Sequence, residues 1–326
     1  MERRRALQRL LSLAAVAAVT PRASAAEPYP TRPIKLIVPY APGGVVDVQA
    51  RKMGAPLAQA LGQPIVVDNR PGASGTLGVG IGAKAAPDGY TVTVGTSSNL
   101  GVAPALGARI TFDPIKDFDP VTQYARAGLV IVAHPSLGVK NARELIALAK
   151  ARPGNIAYAS SGTSSIGHLA AELFQQEAGV RFLHVPYKTP VAPAVMANEV
   201  PLAFDFPLTT GAHIRSGKLV ALLVTGRQRV VSLPDVPTVR EIEFPNAEIY
   251  GWGGFLVPRG TSKDIIARLN REIVAVLKRP DVKAIFDNEG SEIVGSSPDE
   301  FRAFIAAELQ KFTRIIRLAG IKLEES

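Results

Sequence analysis

Pro39-Tyr40-Ala41-Pro42-Gly43-Gly44-Val45-Val46-Asp47 joins an apolar run, Ile34–Val38, to a helical pattern that extends to about Ala60. A short apolar strand, a glycine turn and a helix form the opening unit of an α/β fold. The first amides of such a helix lack intrahelical acceptors, and together with the positive end of its dipole they favour an anion; glycines let that anion come close to the backbone. The same glycines also suit a tight strand-to-helix turn that binds nothing, and residue chemistry alone leaves both readings open.

Outward from this segment the pattern repeats. Runs at Ile65–Asp68, Thr91–Gly95, Leu129–Ala133, Ile156–Ala159, Phe182–Val185, Leu202–Phe204, Val220–Thr225 and Phe255–Val257 alternate with helical patterns. They are short and mostly apolar, which predicts parallel strands covered on both faces. Asn141 with Glu144 and Ser297 with Glu300 have capping-box spacing; the second pair opens a stripe of Phe301, Phe304, Ile305, Phe312, Ile315 and Ile316. Another stripe begins near Ser262 and runs through Ile265, Ile266, Leu269, Ile273, Val276 and Leu277, at core-packing spacing. Two late helices without long strands between them predict packing back onto an earlier domain, so the first domain is expected to be discontinuous.

Two more polar loops follow predicted strands: Thr96-Ser97-Ser98-Asn99, and Ser160-Ser161-Gly162-Thr163-Ser164-Ser165 before a helix containing His168. Singly, such hydroxyls serve as plain helix caps. Open α/β sheets bind ligands beyond the carboxyl ends of their strands, so the three loops together predict one site.

Composition narrows the function. A chain of 326 residues has room for about two domains. It holds no cysteine, which excludes disulfides, thiolate nucleophiles and cysteine-ligated metals. Arg3, Arg4, Arg5 and Arg9 precede the apolar run Leu10–Val19 and the small residues Ala23–Ala26, the pattern of a cleavable secretory signal over residues 1–26. The paired arginines leave the general secretory and twin-arginine routes open. Removing the signal takes five Arg and one Glu and lowers the net charge from +9 to +5. The remaining Lys and Arg are scattered without interleaved aromatics, which argues against a nucleic-acid partner.

Other patterns carry less. Gly78-Val79-Gly80-Ile81-Gly82-Ala83 fits a lax dinucleotide fingerprint but follows the Pro-Gly loop Asn69–Gly75 and does not leave a strand directly. His134, His168, His184 and His213 lack metal-ligand spacing, no phosphate-binding P-loop is present, and no metal or cofactor is expected. Ser164, His168 and Asp205 suggest a hydrolytic triad, but no nucleophile elbow supports it. Trp252, the single tryptophan, is assigned to packing.

Read together, PYAPGG at 39–44, Asp68-Asn69-Arg70-Pro71-Gly72, AAPDGYT at 85–91, DPIKDF at 113–118, YASSG at 158–162, HVPYK at 184–188, Phe204-Asp205 and LPDVPT at 233–238 resemble the Bug-type periplasmic receptors of tripartite tricarboxylate transporters. The resemblance spans nearly all of the mature chain. It implies a type II periplasmic-binding-protein fold: two α/β domains, 27–124 plus 221–326 and 125–220, joined by crossing strands with a ligand cleft between them. It further implies a monomeric periplasmic receptor, not an enzyme, that captures a small carboxylate and delivers it to membrane components of the transporter. The implied ligand contacts are Tyr40, Ala41, Pro42, Gly43 and Gly44, then Thr96, Ser97 and Ser98, and in the second domain Ser160, Ser161, Gly162, Thr163, Ser164, His168, Tyr187 and Asp205.

The chain departs from the family pattern at Val45 and Val46, where hydroxyls are usual, at Thr189-Pro190 after HVPYK, and at Phe206 after Phe-Asp. Val45, Val46 and Phe206 predict an aromatic or weakly polar carboxylate. Asp205 fits either an ammonium-bearing ligand or a turn cap. The alternatives carried forward are a periplasmic hydrolase using Ser164 and His168, and a sensor that hands its closed form to a signalling partner.

Overall fold

The computed structural model describes residues 29–187, 190–288 and 290–321. The predicted signal segment and Thr189 lie outside these residues. Two sheets form the frame. The first has the order β11-β4-β10-β3-β1-β2, with β1 (Ile34–Val38), β2 (Ile65–Asn69), β3 (Thr91–Thr96), β4 (Phe118–Gly128), β10 (Tyr250–Pro258) and β11 (Glu292–Ile293). The second has the order β7-β6-β8-β5-β9, with β5 (Val130–Ala133), β6 (Ala157–Ser160), β7 (Leu183–Pro186), β8 (Leu202–Asp205) and β9 (Val220–Val224). Residues 125–128 thus belong to a strand of the first sheet and residues 220–224 to a strand of the second.

The expectation of parallel sheets needs correction, because both are mixed. β10 runs antiparallel to β3 and β4, and β5 runs antiparallel to β8 and β9. The eleven-residue β4 escaped the strand assignments because Asp119, Pro120, Gln123 and Arg126 read as loop residues. Pairing with β10 accommodates them through two register shifts. The Thr122 hydroxyl donates to Ser296 O at 2.7 Å, and the Gln123 backbone N–H donates to the Ser296 hydroxyl at 2.9 Å, so this hydroxyl and this N–H are satisfied. β2 and β7 are edge strands and only partly covered, unlike strands buried on both faces.

Helices α1 (Val45–Leu61), α2 (Thr76–Ala83), α3 (Ala142–Ala151), α4 (Ile166–Ala178), α5 (Ala192–Met196), α6 (Pro207–Arg215), α7 (Lys263–Leu277), α8 (Pro280–Asn288) and α9 (Pro298–Ala319) cover the sheets. Met53 and Leu57 of α1 meet Leu269 and Ile273 of α7 in a core that also holds Leu36 and Phe255. Ser297 forms a reciprocal capping box with Glu300 at the start of α9. Asn141 caps α3 by accepting the Glu144 N–H at 2.9 Å, whereas Glu144 turns its carboxylate to the Lys140 N–H at 2.7 Å. The α9 stripe does more than close the first domain. Phe301 and Ile305 pack with Val79 and Trp252 on the first sheet, while Phe312 and Ile316 enter the core of the second with Leu129 and Phe174. Each such buried side chain contributes about 1.5–3 kcal/mol.

The chain passes between the sheets where residues 128–129 meet 225–226. Thr225 clips this crossing: its N–H donates to Leu129 O at 2.8 Å, and its hydroxyl accepts the Leu129 N–H and donates to Ile249 O, both at 2.8 Å. Gly128 and Gly226 let the backbones touch, since a Cβ on Gly128 would stand 2.7 Å from Gly226 N. Thr225→Val keeps the side-chain shape but strands a buried N–H and a C=O, at about 1–3 kcal/mol each. The expected outcome is a lower urea midpoint for this variant; an unchanged midpoint would show that the clip contributes nothing.

Candidate functional site

A cleft of about 1610 Å³ is lined by residues of both sheets and by the three polar loops picked out in the sequence. Each loop is shaped by groups behind it. In the first, Asp47 is buried in the opening turn of α1, where it accepts the Gly43 N–H, the Asn69 side-chain N–H and the Arg51 guanidinium, each near 2.9 Å. Burial alone would raise the Asp47 pKa, but these donors outweigh it and hold the carboxylate below its ordinary range. The Gly43 N–H is therefore turned inward, away from any ligand. Tyr40, Ala41, Gly44, Val45 and Val46 face the cleft, whereas Pro42 and Gly43 are not among its lining residues.

Tyr40 ties this loop to the next two. Its hydroxyl shares a 2.7 Å hydrogen bond with Thr96, donates to Ser74 O at 3.3 Å and accepts from the Asn99 amide at 3.4 Å. Burial raises the Tyr40 pKa against the opposing pull of these bonds. The Ser74 contact locates a segment that sequence reasoning missed. Ala73 and Ser74 both take left-handed backbone angles, with φ of 48° and 53°, and the turn from Pro71 to Thr76 lines the cleft. The motif at 68–72 pointed toward this turn without revealing that it faces the ligand space.

Thr96, Ser97 and Ser98 line the cleft as expected. The Ser98 hydroxyl accepts the Ile166 N–H at 3.1 Å, joining a loop of the first sheet to the first residue of α4 on the second. Gly162 makes a second approach, with φ of +118° and a position where a Cβ would stand 2.9 Å from the Ser74 hydroxyl. Ser161, Gly162, Thr163 and Ser164 face the cleft, as do Tyr187, Asp205 and Phe206. The Tyr187 hydroxyl donates to Glu199 at 3.3 Å. The Phe206 ring is seated against Gly251 of β10, where a Cβ would lie 2.4 Å from its tip.

Two expected contacts, Ser160 and His168, lie beneath the surface. Ser160 is fully buried and bonds His184 Nε2 at 2.7 Å; His168 is buried against Thr163 O at 2.5 Å. His168 Nε2 lies 3.7 Å from Glu172, and no hydrogen bond links the ring to the Ser164 hydroxyl. The nucleophile and base pairing of the hydrolase alternative is therefore not formed.

The cleft also holds charges. Asp205 accepts the Phe206 N–H at 2.8 Å and the Thr209 hydroxyl at 2.9 Å, yet burial pushes its pKa up to about 6. Arg126 is held by two bonds, 2.8 and 2.9 Å, to Glu292. Arg109 lines the cleft without a hydrogen bond or ion pair among the described residues, and nothing in its sequence context signalled this. Trp252 packs on Phe301 and Phe304 and donates to Glu308 at 3.0 Å, but also lines the cleft. No group of three or more metal-binding side chains occurs among the described residues.

Comparison with known proteins agrees with this architecture. The family described as the tripartite tricarboxylate transporter family receptor matches residues 49–321. Protein BugT of Bordetella pertussis is 38 % identical over 302 residues, covering 92 % of this chain and 93 % of its own length. A structure described as a periplasmic transporter superposes with a TM-score of 0.88 at 36 % identity, over 91 % of this chain and 100 % of its own. The R. palustris protein Rpa4515, solved with adipate, gives a TM-score of 0.87 at 32 % identity, over 90 % of this chain and 99 % of its own. The two-sheet frame, the loops around its cleft and these matches have one reading: the chain belongs to the receptor family of tripartite tricarboxylate transporters.

Proposed function

We propose that this chain is a periplasmic receptor, not an enzyme, that holds a small carboxylate in the cleft between its sheets and presents the closed form to membrane components of a transporter. The observation that carries this reading is the convergence of three amide- and hydroxyl-rich loops from both sheets on one cleft, with Arg109, a guanidinium without a partner among the described residues, at its wall. An anion held by both sides stabilises the arrangement in which both contribute, which couples capture to closure. The adipate in Rpa4515, a protein of the same architecture, supports a carboxylate. Capture of this kind needs one copy of the chain and no proton transfer. The expected divisions at 124/125 and 220/221 fall a few residues before the crossing at 128–129 and 225–226, and we take the moving parts to lie on either side of that crossing.

Val45, Val46, Phe206 and Trp252 give the cleft apolar wall beside its polar loops, which favours a ligand whose body is aromatic or weakly polar. A thermal-shift panel of citrate, adipate, benzoate, aspartate and uncharged analogues tests the reading on residues 27–326. A carboxylate at about 100 times its Kd adds roughly 2.7 kcal/mol and moves Tm by several degrees. Stabilisation by no carboxylate would sink the receptor assignment; citrate acting where benzoate fails would sink the apolar-ligand reading.

Asp205 sets a pH dependence. Its folded pKa of about 6 lies above the ordinary 3.8, so the fold loses stability from this group as pH rises through that interval and the buried carboxyl ionises. An anion without an ammonium group meets a neutral neighbour below that pKa and a charged one above it. The wild type should therefore bind such an anion roughly threefold to tenfold more weakly, relative to Asp205→Asn, at pH 7.5 than at pH 5. For an ammonium-bearing ligand the trend reverses. Calorimetric titration of both proteins at the two pH values reads the ratio, and identical profiles would remove Asp205 from the site.

A further inference from the structure

His168 and His184 belong to motifs of the sequence that ligand contact does not account for, because neither lines the cleft. Their rings stack face to face behind the loop of residues 160–165, with centroids 4.1 Å apart and planes 7° apart, and the Tyr158 ring lies 5.0 Å from His184 and 6.5 Å from His168. Glu172 closes the cluster, accepting from the Tyr158 hydroxyl at 3.1 Å and from the Gln175 amide at 2.6 Å.

The proton positions on these rings follow from what they touch. Thr163 O is a carbonyl and only accepts, so His168 Nδ1 carries the hydrogen in the 2.5 Å bond between them. Ser160 has one hydroxyl hydrogen. Its oxygen lies 3.0 Å from Gly162 O, which again only accepts, so that hydrogen is committed there. The 2.7 Å contact between His184 and the Ser160 oxygen then has Nε2–H as its donor. Burial and the adjacent His168 lower the His184 pKa to about 4, in keeping with a neutral ring.

These bonds decide which way the loop's amides point. In a trans peptide the C=O of one residue and the N–H of the next are directed oppositely. Gly162 O is held from behind by Ser160, and by the Ser165 N–H at 3.0 Å, which turns the Thr163 N–H the other way. Thr163 O is held from behind by His168, which does the same for the Ser164 N–H. Both residues line the cleft, and neither N–H meets a protein acceptor among the described residues.

We infer that His168 and His184 are positioning residues that fix two peptide planes, so that the N–H groups of Thr163 and Ser164 face the cleft as paired donors for one carboxylate. This rests on the reading of the cleft as a carboxylate site, and it adds which amides bind and what aims them. His168 acts on the Thr163–Ser164 peptide directly; His184 acts on the Gly162–Thr163 peptide through Ser160.

Long-range ring ¹⁵N spectra of the full mature chain test the geometry without a ligand. His168 should carry a hydrogen on Nδ1 and His184 a hydrogen on Nε2; a bare nitrogen at either of these two positions overturns the inference. Calorimetry with adipate and citrate then tests the consequence. His168→Asn keeps a donor near the Nδ1 position and His184→Gln keeps one near Nε2, so both should bind within about threefold of wild type, whereas His168→Leu should lose about tenfold or more. Equal affinity of the Leu and Asn variants, whether both intact or both weakened, overturns it as well. If neither probe binds the wild type, the carboxylate reading fails on its own account, and the tautomers still decide the histidine geometry.

Discussion

Everything else in this molecule depends on how closely two stretches of backbone cross at Gly128 and Gly226. A side chain at Gly128 would wedge the connections apart, and the hydrogen bonds of Thr225 would lose their reach. With the crossing in place, β4 and β10 carry an antiparallel ladder, stepped by two register shifts, up to the junction, and the loops after β1, β3, β6 and β8 arrive around a common space. A binding site made of loops is only as well defined as the frame behind it, and here the frame narrows to a few residues.

Within the cleft, buried polar groups are used to orient backbone amides more than to contact a ligand. Asp47 turns the Gly43 N–H inward, Tyr40 steadies the Ser74 carbonyl, and the histidine pair does the same for the loop on the opposite wall. The charge of Asp47 is already neutralised by Arg51, so a carboxylate beneath an anion-seeking loop does not repel the anion. Low-dielectric surroundings strengthen each of these bonds and make any unsatisfied partner costly, which keeps the loops in one shape.

Much of this was legible in the sequence, for physical reasons that differ from residue to residue. The strand, glycine turn and helix at 34–61 could be read because periodicity and turn chemistry are local. The convergence of the three loops followed from the rule for open α/β sheets. β4 was not legible, because the Thr122 hydroxyl and the Gln123 backbone N–H are satisfied by Ser296, more than 170 positions away. The Ala73–Ser74 turn was missed because no side chain announces a left-handed angle at Ala or Ser. Ser160 and His168 were assigned as contacts because a motif shows which residues matter to a loop, but not which side of it they occupy.

The 22-residue helix α9 deserves a mechanical reading. Its first half is embedded in one hydrophobic core and its second half in the other, so the two lobes share a rigid beam about 33 Å long as well as a crossing. Sliding one lobe past the other would pull Phe312 and Ile316 out of their seats, as would a wide swing about a distant axis. The motion that costs least is a rotation about a line close to the helix itself. A turn about that line shifts the cleft walls relative to each other while the side chains of α9 stay seated in both cores.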